Sequence, residues 1–116
     1  MGYGCMDRLS GKWRFSREPF REAKQQDVQL SSTADAKVTG TASFIRDGET
    51  ITFNVQGMYN GAALSIRLTS ITDLGLVGFT FEANCKGDNL FDGAVFINGD
   101  DLFEFAPGPC QLKSVG

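Results

Sequence analysis

Residues 50–56 alternate strictly: Ile51, Phe53 and Val55 interleave with Thr52, Asn54 and Gln56, and the same period returns over 62–69 with Leu64, Ile66 and Leu68. Period-two alternation puts one set of side chains on each face of an extended chain, so these segments predict half-buried β-strands. Between such runs lie Asp47-Gly48, Asn60-Gly61 and Asn98-Gly99. These dipeptides favour the type I′ hairpin turn, whose two central residues both need positive φ. Weaker turn chemistry of the same kind occurs at Ala34-Asp35, at 71–73 and at 86–89.

The pattern predicts eight strands, at about 11–17, 27–33, 37–46, 49–57, 62–70, 74–84, 90–97 and 101–106. Short links between consecutive strands, with no segment long enough to form a covering helix, imply an all-β fold. The expected architecture is an eight-stranded antiparallel up-and-down β-barrel, because closure removes the edges an open meander would expose. One connection, 18–26, is longer than a hairpin needs. Pro19 suits the first position of a helix and the residues after Phe20 favour helix, so one short helical turn is predicted there. It would lay Phe20 and Ala23 onto the barrel mouth.

The alternation sends Trp13, Phe15, Val28, Leu30, Val38, Phe44, Ile51, Phe53, Val55, Leu64, Ile66, Leu68, Val77, Phe79, Phe81, Phe103 and Phe105 inward. In strand 90–97 both phases are apolar, Phe91/Val95/Ile97 and Leu90/Ala94/Phe96. The interior set contains no charged or amide side chain. Two readings follow: the Phe rings fill the barrel, or Gly40 and Ala42 leave a cavity for one small apolar ligand.

With 116 residues the chain makes one domain, read as a single β-barrel with an N-terminal extension at 1–9 and a C-terminal tail at 107–116. It has no His, which removes the commonest general base and metal ligand. No nucleophile–base pair or phosphate loop is present, so no catalytic residue, metal or cofactor is expected. Glu82 and Asp92 lie on adjoining strands but in the outward phase. Residues 1–46 hold eight Lys/Arg against five Asp/Glu, and residues 47–116 hold three against nine. The basic stretch from Arg14 to Lys24 contains Glu18 and Glu22 and reads as a solvated face, so no nucleic-acid partner is expected. No apolar run approaches the ~20 residues of a membrane-spanning helix. The first residues lack the basic and apolar regions of a secretory leader, as expected of a cytoplasmic chain or of one exported after leader removal.

A strict meander places Cys5, Cys85 and Cys110 at one end of the barrel. There a Cys85–Cys110 disulfide, with Cys5 left free, stands beside the alternative of three thiols in a reducing compartment. The opposite end gathers Asp47, Asp73, Asp100 and Asp101 near Arg17, Arg21 and Lys24. That set is either a polar rim around a mouth, an oxygen cluster, or ordinary turn chemistry.

Gly11-Lys12-Trp13 resembles the Gly-x-Trp signature of calycin barrels, the lipocalin and avidin group, and Thr39-Gly40-Thr41 is similar to the Thr-Gly-Thr of avidin-type barrels. The resemblance implies a barrel with the Trp packed across its closed base and the long first connection serving as a lid. It does not imply biotin binding, since avidin-type sites are walled by several Trp residues and this chain has one. The expected function is binding of a small hydrophobic ligand by Phe15, Phe20, Leu30, Phe44, Phe53, Leu68, Phe79 and Phe103. The alternative is a filled barrel acting as a protein-interaction module, monomeric or homodimeric, through outward apolar residues such as Ile45, Leu76 and Phe96.

Overall fold

The computed structural model describes residues 5–16, 25–46, 48–72, 75–87, 89–98 and 108–115. Its strands are β1 (Lys12–Phe15), β2 (Gln25–Ser32), β3 (Lys37–Arg46), β4 (Glu49–Tyr59), β5 (Ala63–Thr72), β6 (Gly75–Gly87), β7 (Leu90–Asn98) and β8 (Gly108–Ser114). Each pairs antiparallel with the next, and β8 returns to β1, giving a closed eight-stranded meander barrel. Among the described residues there is no helix. The helical turn expected at 18–26 falls mostly outside them, and its last two residues, Gln25 and Gln26, are already strand.

Alternation translates directly into burial. On β4, Phe53, Val55 and Tyr59 are buried while Thr52, Asn54 and Gln56 are exposed. In the ambiguous seventh strand Phe91 and Val95 point in and Phe96 points out. The interior is packed with rings. Phe15 meets Phe79 and Phe81 at centroid distances of 6.1 and 5.3 Å, and Phe53 meets Phe44 and Phe79 at 5.6 and 5.5 Å. These edge-to-face contacts are the arrangement that the ring quadrupole favours. Toward the other end Phe91 contacts Trp13 and Tyr59 at 5.6 and 5.5 Å. The buried Ser70 hydroxyl donates to the Thr52 carbonyl at 2.6 Å, so that polar group has a partner inside the apolar wall.

Gly40 does not leave a cavity. A Cβ there would lie 2.0 Å from the Gln29 carbonyl oxygen on β2, so the space is already taken by the neighbouring backbone. Gly57 and Gly93 meet the carbonyls of Ser65 and Glu82 in the same way. Missing side chains at these positions let adjacent strands coil tightly enough to close a narrow barrel.

The eighth strand corrects the sequence reading. It runs over Gly108–Ser114, inside the expected C-terminal tail, whereas 101–106 lies outside the described residues. Cys110 and Leu112 alternate inward there, and Leu112 stands opposite both Phe15 and Phe91. The N-terminal extension is likewise part of the fold. Leu9 is buried, its carbonyl accepts from the Ser32 N–H at 3.1 Å, and its own N–H donates to the Ser32 hydroxyl at 2.8 Å. Met6 packs against the core, and its carbonyl accepts from the buried Tyr59 hydroxyl.

The disulfide joins Cys5 to Cys85, with Cα atoms 6.2 Å apart, and not Cys85 to Cys110. Cys85 faces Phe91, Phe91 faces Leu112, and Cys110 lies two residues further along β8. That offset is roughly 12 Å, beyond the reach of a disulfide. The shift of the last strand carries Cys110 away from the terminal end and buries it as a free thiol. The turn at Asn60-Gly61 also differs from a type I′ turn. Gly61 alone has positive φ, while the Asn60 side-chain oxygen accepts from the N–H groups of Ala62 and Ala63 at 2.9 and 2.7 Å.

The β1–β2 ladder is short, with Lys12↔Gln29 and Trp13↔Val28 as its register pairs. Where the backbones part, the Gln26 side chain replaces them: its oxygen accepts from Phe15 N–H at 2.9 Å and its amide donates to Phe15 C=O at 3.1 Å. Gln26→Leu strands both groups and is expected to lower stability in urea unfolding by about 2 kcal/mol. Gln29→Leu, at an exposed position on the same strand, should stay within about 0.5 kcal/mol of the parent. Non-reducing peptide mapping should recover Cys5 linked to Cys85, with Cys110 alkylated only after unfolding. Replacing both bridged cysteines by Ser should remove about 4 kcal/mol.

Candidate functional site

Of the eight side chains expected to line a ligand cavity, Phe15, Leu30, Phe44, Phe53, Leu68 and Phe79 are buried inside the barrel, whereas Phe20 and Phe103 lie outside the described residues. Their placement follows from chain direction. Phe15 ends β1, Phe44 precedes the turn at Gly48, and Phe79 follows the start of β6, so these three share the mouth half with Phe53. Leu30 lies toward the opposite end, where its N–H donates to the Gly11 carbonyl at 3.1 Å. The rings touch one another, and Phe44, Phe53 and Leu68 have no solvent exposure. Trp13 packs at the terminal end against Phe91, its indole N–H donating to the Ser10 carbonyl at 3.1 Å.

The polar rim expected from Asp47, Asp73, Asp100, Asp101, Arg17, Arg21 and Lys24 lies outside the described residues. Among the described residues no three His, Cys, Asp or Glu side chains come together as a metal would require, and no helix is long and apolar enough to cross a membrane. Glu82 and Asp92 are exposed on adjoining strands, Glu82 facing Ala94 and Asp92 facing Asn84, so they sit one diagonal step apart on the outer wall.

Among the described residues, grooves lie on the outside of the barrel. A groove of about 490 Å³ runs over β4, β5 and β6, where the small residues Ala63 and Ser65 lie between Met58 and Glu82. A notch of about 360 Å³ over β2 and β3 is lined by Gln29, Ser31, Thr39 and Thr41 around Gly40. A third groove, about 270 Å³, lies on β1 and β8 between Arg14, Ser16, Lys113 and Val115. Large apolar side chains are exposed on the same wall: Ile45 at 37%, Phe96 at 48%, Val115 at 53% and Met58 at 59%. Ile45 and Phe96 face outward as expected, and the Leu76 side chain is outside the described residues.

Sequence reasoning missed the Arg14–Lys113 pair, because β8 was expected to end before Lys113 begins to count. The alternation of Pro109, Gln111 and Lys113 with Cys110 and Leu112 is the signal that would have found it, and Pro109 masks it by its low strand propensity. Compared with the models of known protein families, with curated proteins and with solved structures, this chain matches none.

Proposed function

We propose that this protein is a non-enzymatic binding module that meets a protein partner on its outer wall, with an interior occupied by its own side chains. The observation that carries this reading is the contact of Phe53 with both Phe44 and Phe79 at 5.6 and 5.5 Å, at positions with at most 1% exposure. An eight-stranded barrel is just wide enough for side chains to fill, and these rings occupy the space that an internal ligand would need. Exposed Phe96 and Met58 give the outer wall apolar area for a partner, and a second copy of the chain is one candidate.

A second reading keeps the calycin-like barrel with a small apolar ligand. It draws on Gly11-Lys12-Trp13 and on the gathering of Phe15, Phe44, Phe53 and Phe79 in one half of the barrel. In that reading the guest sits above these rings, toward the mouth.

Native mass spectrometry of the unreduced protein separates the two. The expected result is the bare polypeptide, lighter by the two hydrogens of one disulfide. A stoichiometric apolar adduct released on gentle activation sinks the filled-barrel reading. Phe53→Ala should lower stability by about 3–5 kcal/mol and let the barrel take up a benzene-sized apolar probe that the parent refuses. Saturable uptake by the parent would count equally against a filled interior. Any dimer in the same spectrum should be lost in Phe96→Ser if the second copy docks on β7.

A further inference from the structure

Arg14 on β1 and Lys113 on β8 stand directly opposite each other in the ladder that closes the barrel, and both are exposed. Directly opposed residues on antiparallel strands hold their Cβ atoms about 4.5–5.5 Å apart, and like charges so placed are destabilising. Lys12 extends the positive stripe along β1, where its carbonyl accepts from the Val115 N–H at 3.0 Å. None of these three cations makes an ion pair with a described residue. Among the described residues the stripe therefore gathers three cations without an ion pair, on a chain whose formal net charge is −3.

The borders define what fits. Asp27 on β2 follows the last paired position of the β1–β2 ladder, and Asp92 on β7 faces Gln111 on β8. These carboxylates flank the stripe on both sides. From β2 to β7 across β1 and β8 is three strand spacings, or about 14 Å. A bilayer surface or a nucleic-acid duplex would bring its own negative charge against Asp27 and Asp92, whereas a single extended chain lies between them. The Arg14 guanidinium can take a carboxylate with two parallel N–H donors, the Lys113 ammonium supplies a second charge, and exposed Val115 gives an apolar contact beside them.

We propose that the groove between Arg14 and Lys113 is the docking site for an extended acidic segment of a protein partner. It rests on the reading of the protein as a surface binder and names the chemistry of what it binds. Bound carboxylates would neutralise the opposed cations of Arg14 and Lys113.

The test uses the full, oxidised chain and a short fluorescein-labelled peptide alternating Glu and Thr, with a Gln-Thr peptide as its neutral counterpart, followed by fluorescence anisotropy. The Glu peptide should bind at least about tenfold more tightly than the Gln peptide, and its binding should weaken as salt rises. Arg14→Gln with Lys113→Gln should lose at least about tenfold in affinity, while Lys37→Gln with Lys86→Gln, the same charge change elsewhere on the wall, should bind as the parent does. Bound peptide should also raise the melting temperature of the parent and leave that of the Arg14/Lys113 variant unchanged. Equal binding by the parent and the Arg14/Lys113 variant overturns the proposal, as does binding to phosphatidylserine vesicles without binding to the peptide. A co-purified apolar guest together with peptide binding at Arg14 and Lys113 would overturn the filled interior alone and leave this site standing.

Discussion

Closure of the barrel rests on β1, a strand of four residues that must join β8 on one side and β2 on the other. A strand that short supplies few ladder bonds, and the rest of its attachment is made by side chains. The Ser32 hydroxyl serves the Leu9 amide at one end of the seam, and the Gln26 amide serves both backbone groups of Phe15 at the other. At the β8 side Ser16 repeats the device: its N–H donates to the Gln111 carbonyl and its hydroxyl accepts from the Gln111 N–H. Backbone groups buried without partners are expensive, so these substitutions allow the strand to end early without leaving orphans.

Closure in turn fixes what the interior can hold. Neighbouring backbones approach so closely at Gly40, Gly57 and Gly93 that no side chain fits there. Inside this narrow tube Phe15, Phe44, Phe53, Phe79 and Phe81 interlock by their edges and faces. In the proposed reading, binding therefore belongs to the outer surface. There the opposed cations of β1 and β8, the exposed Phe96 and the trough beside Met58 are all carried on strands whose other face packs into the core.

Much of this was legible in the residues. The strands from Lys37 to Tyr59 and the interior phase of β5 follow from alternation alone, because a one-residue slip would turn every buried side chain outward. The last strand was not legible. Phe103 and Phe105 offered a stronger apolar signal than Cys110 and Leu112, and a Pro within 108–114 speaks against a strand unless partners on both sides are known. That error carried the disulfide with it, since the partner of Cys85 depends on which residues share its end of the barrel. Tyr59 continues the alternation of β4 and was missed because that strand was read as ending at 57, whereas Leu9 precedes β1 in a segment without period. The Arg14–Lys113 groove depends on long-range register, which no local pattern contains.

The Cys5–Cys85 bond spans 80 residues of sequence, and its covalent ring contains β1 through most of β6. β7 and β8 lie beyond that ring and pair with β6 and β1 to close the sheet. A protease that nicks the chain at the Thr33–Ala36 turn or at Asn60-Gly61 therefore releases no fragment while the bond is intact, because both sides of the cut remain tied. Cuts beyond Cys85 act differently: they free strands that only hydrogen bonds and packing hold. Secretions and other protease-rich, oxidising surroundings would thus wear this barrel from the segment beyond Cys85, the one that carries Lys113 and Phe96.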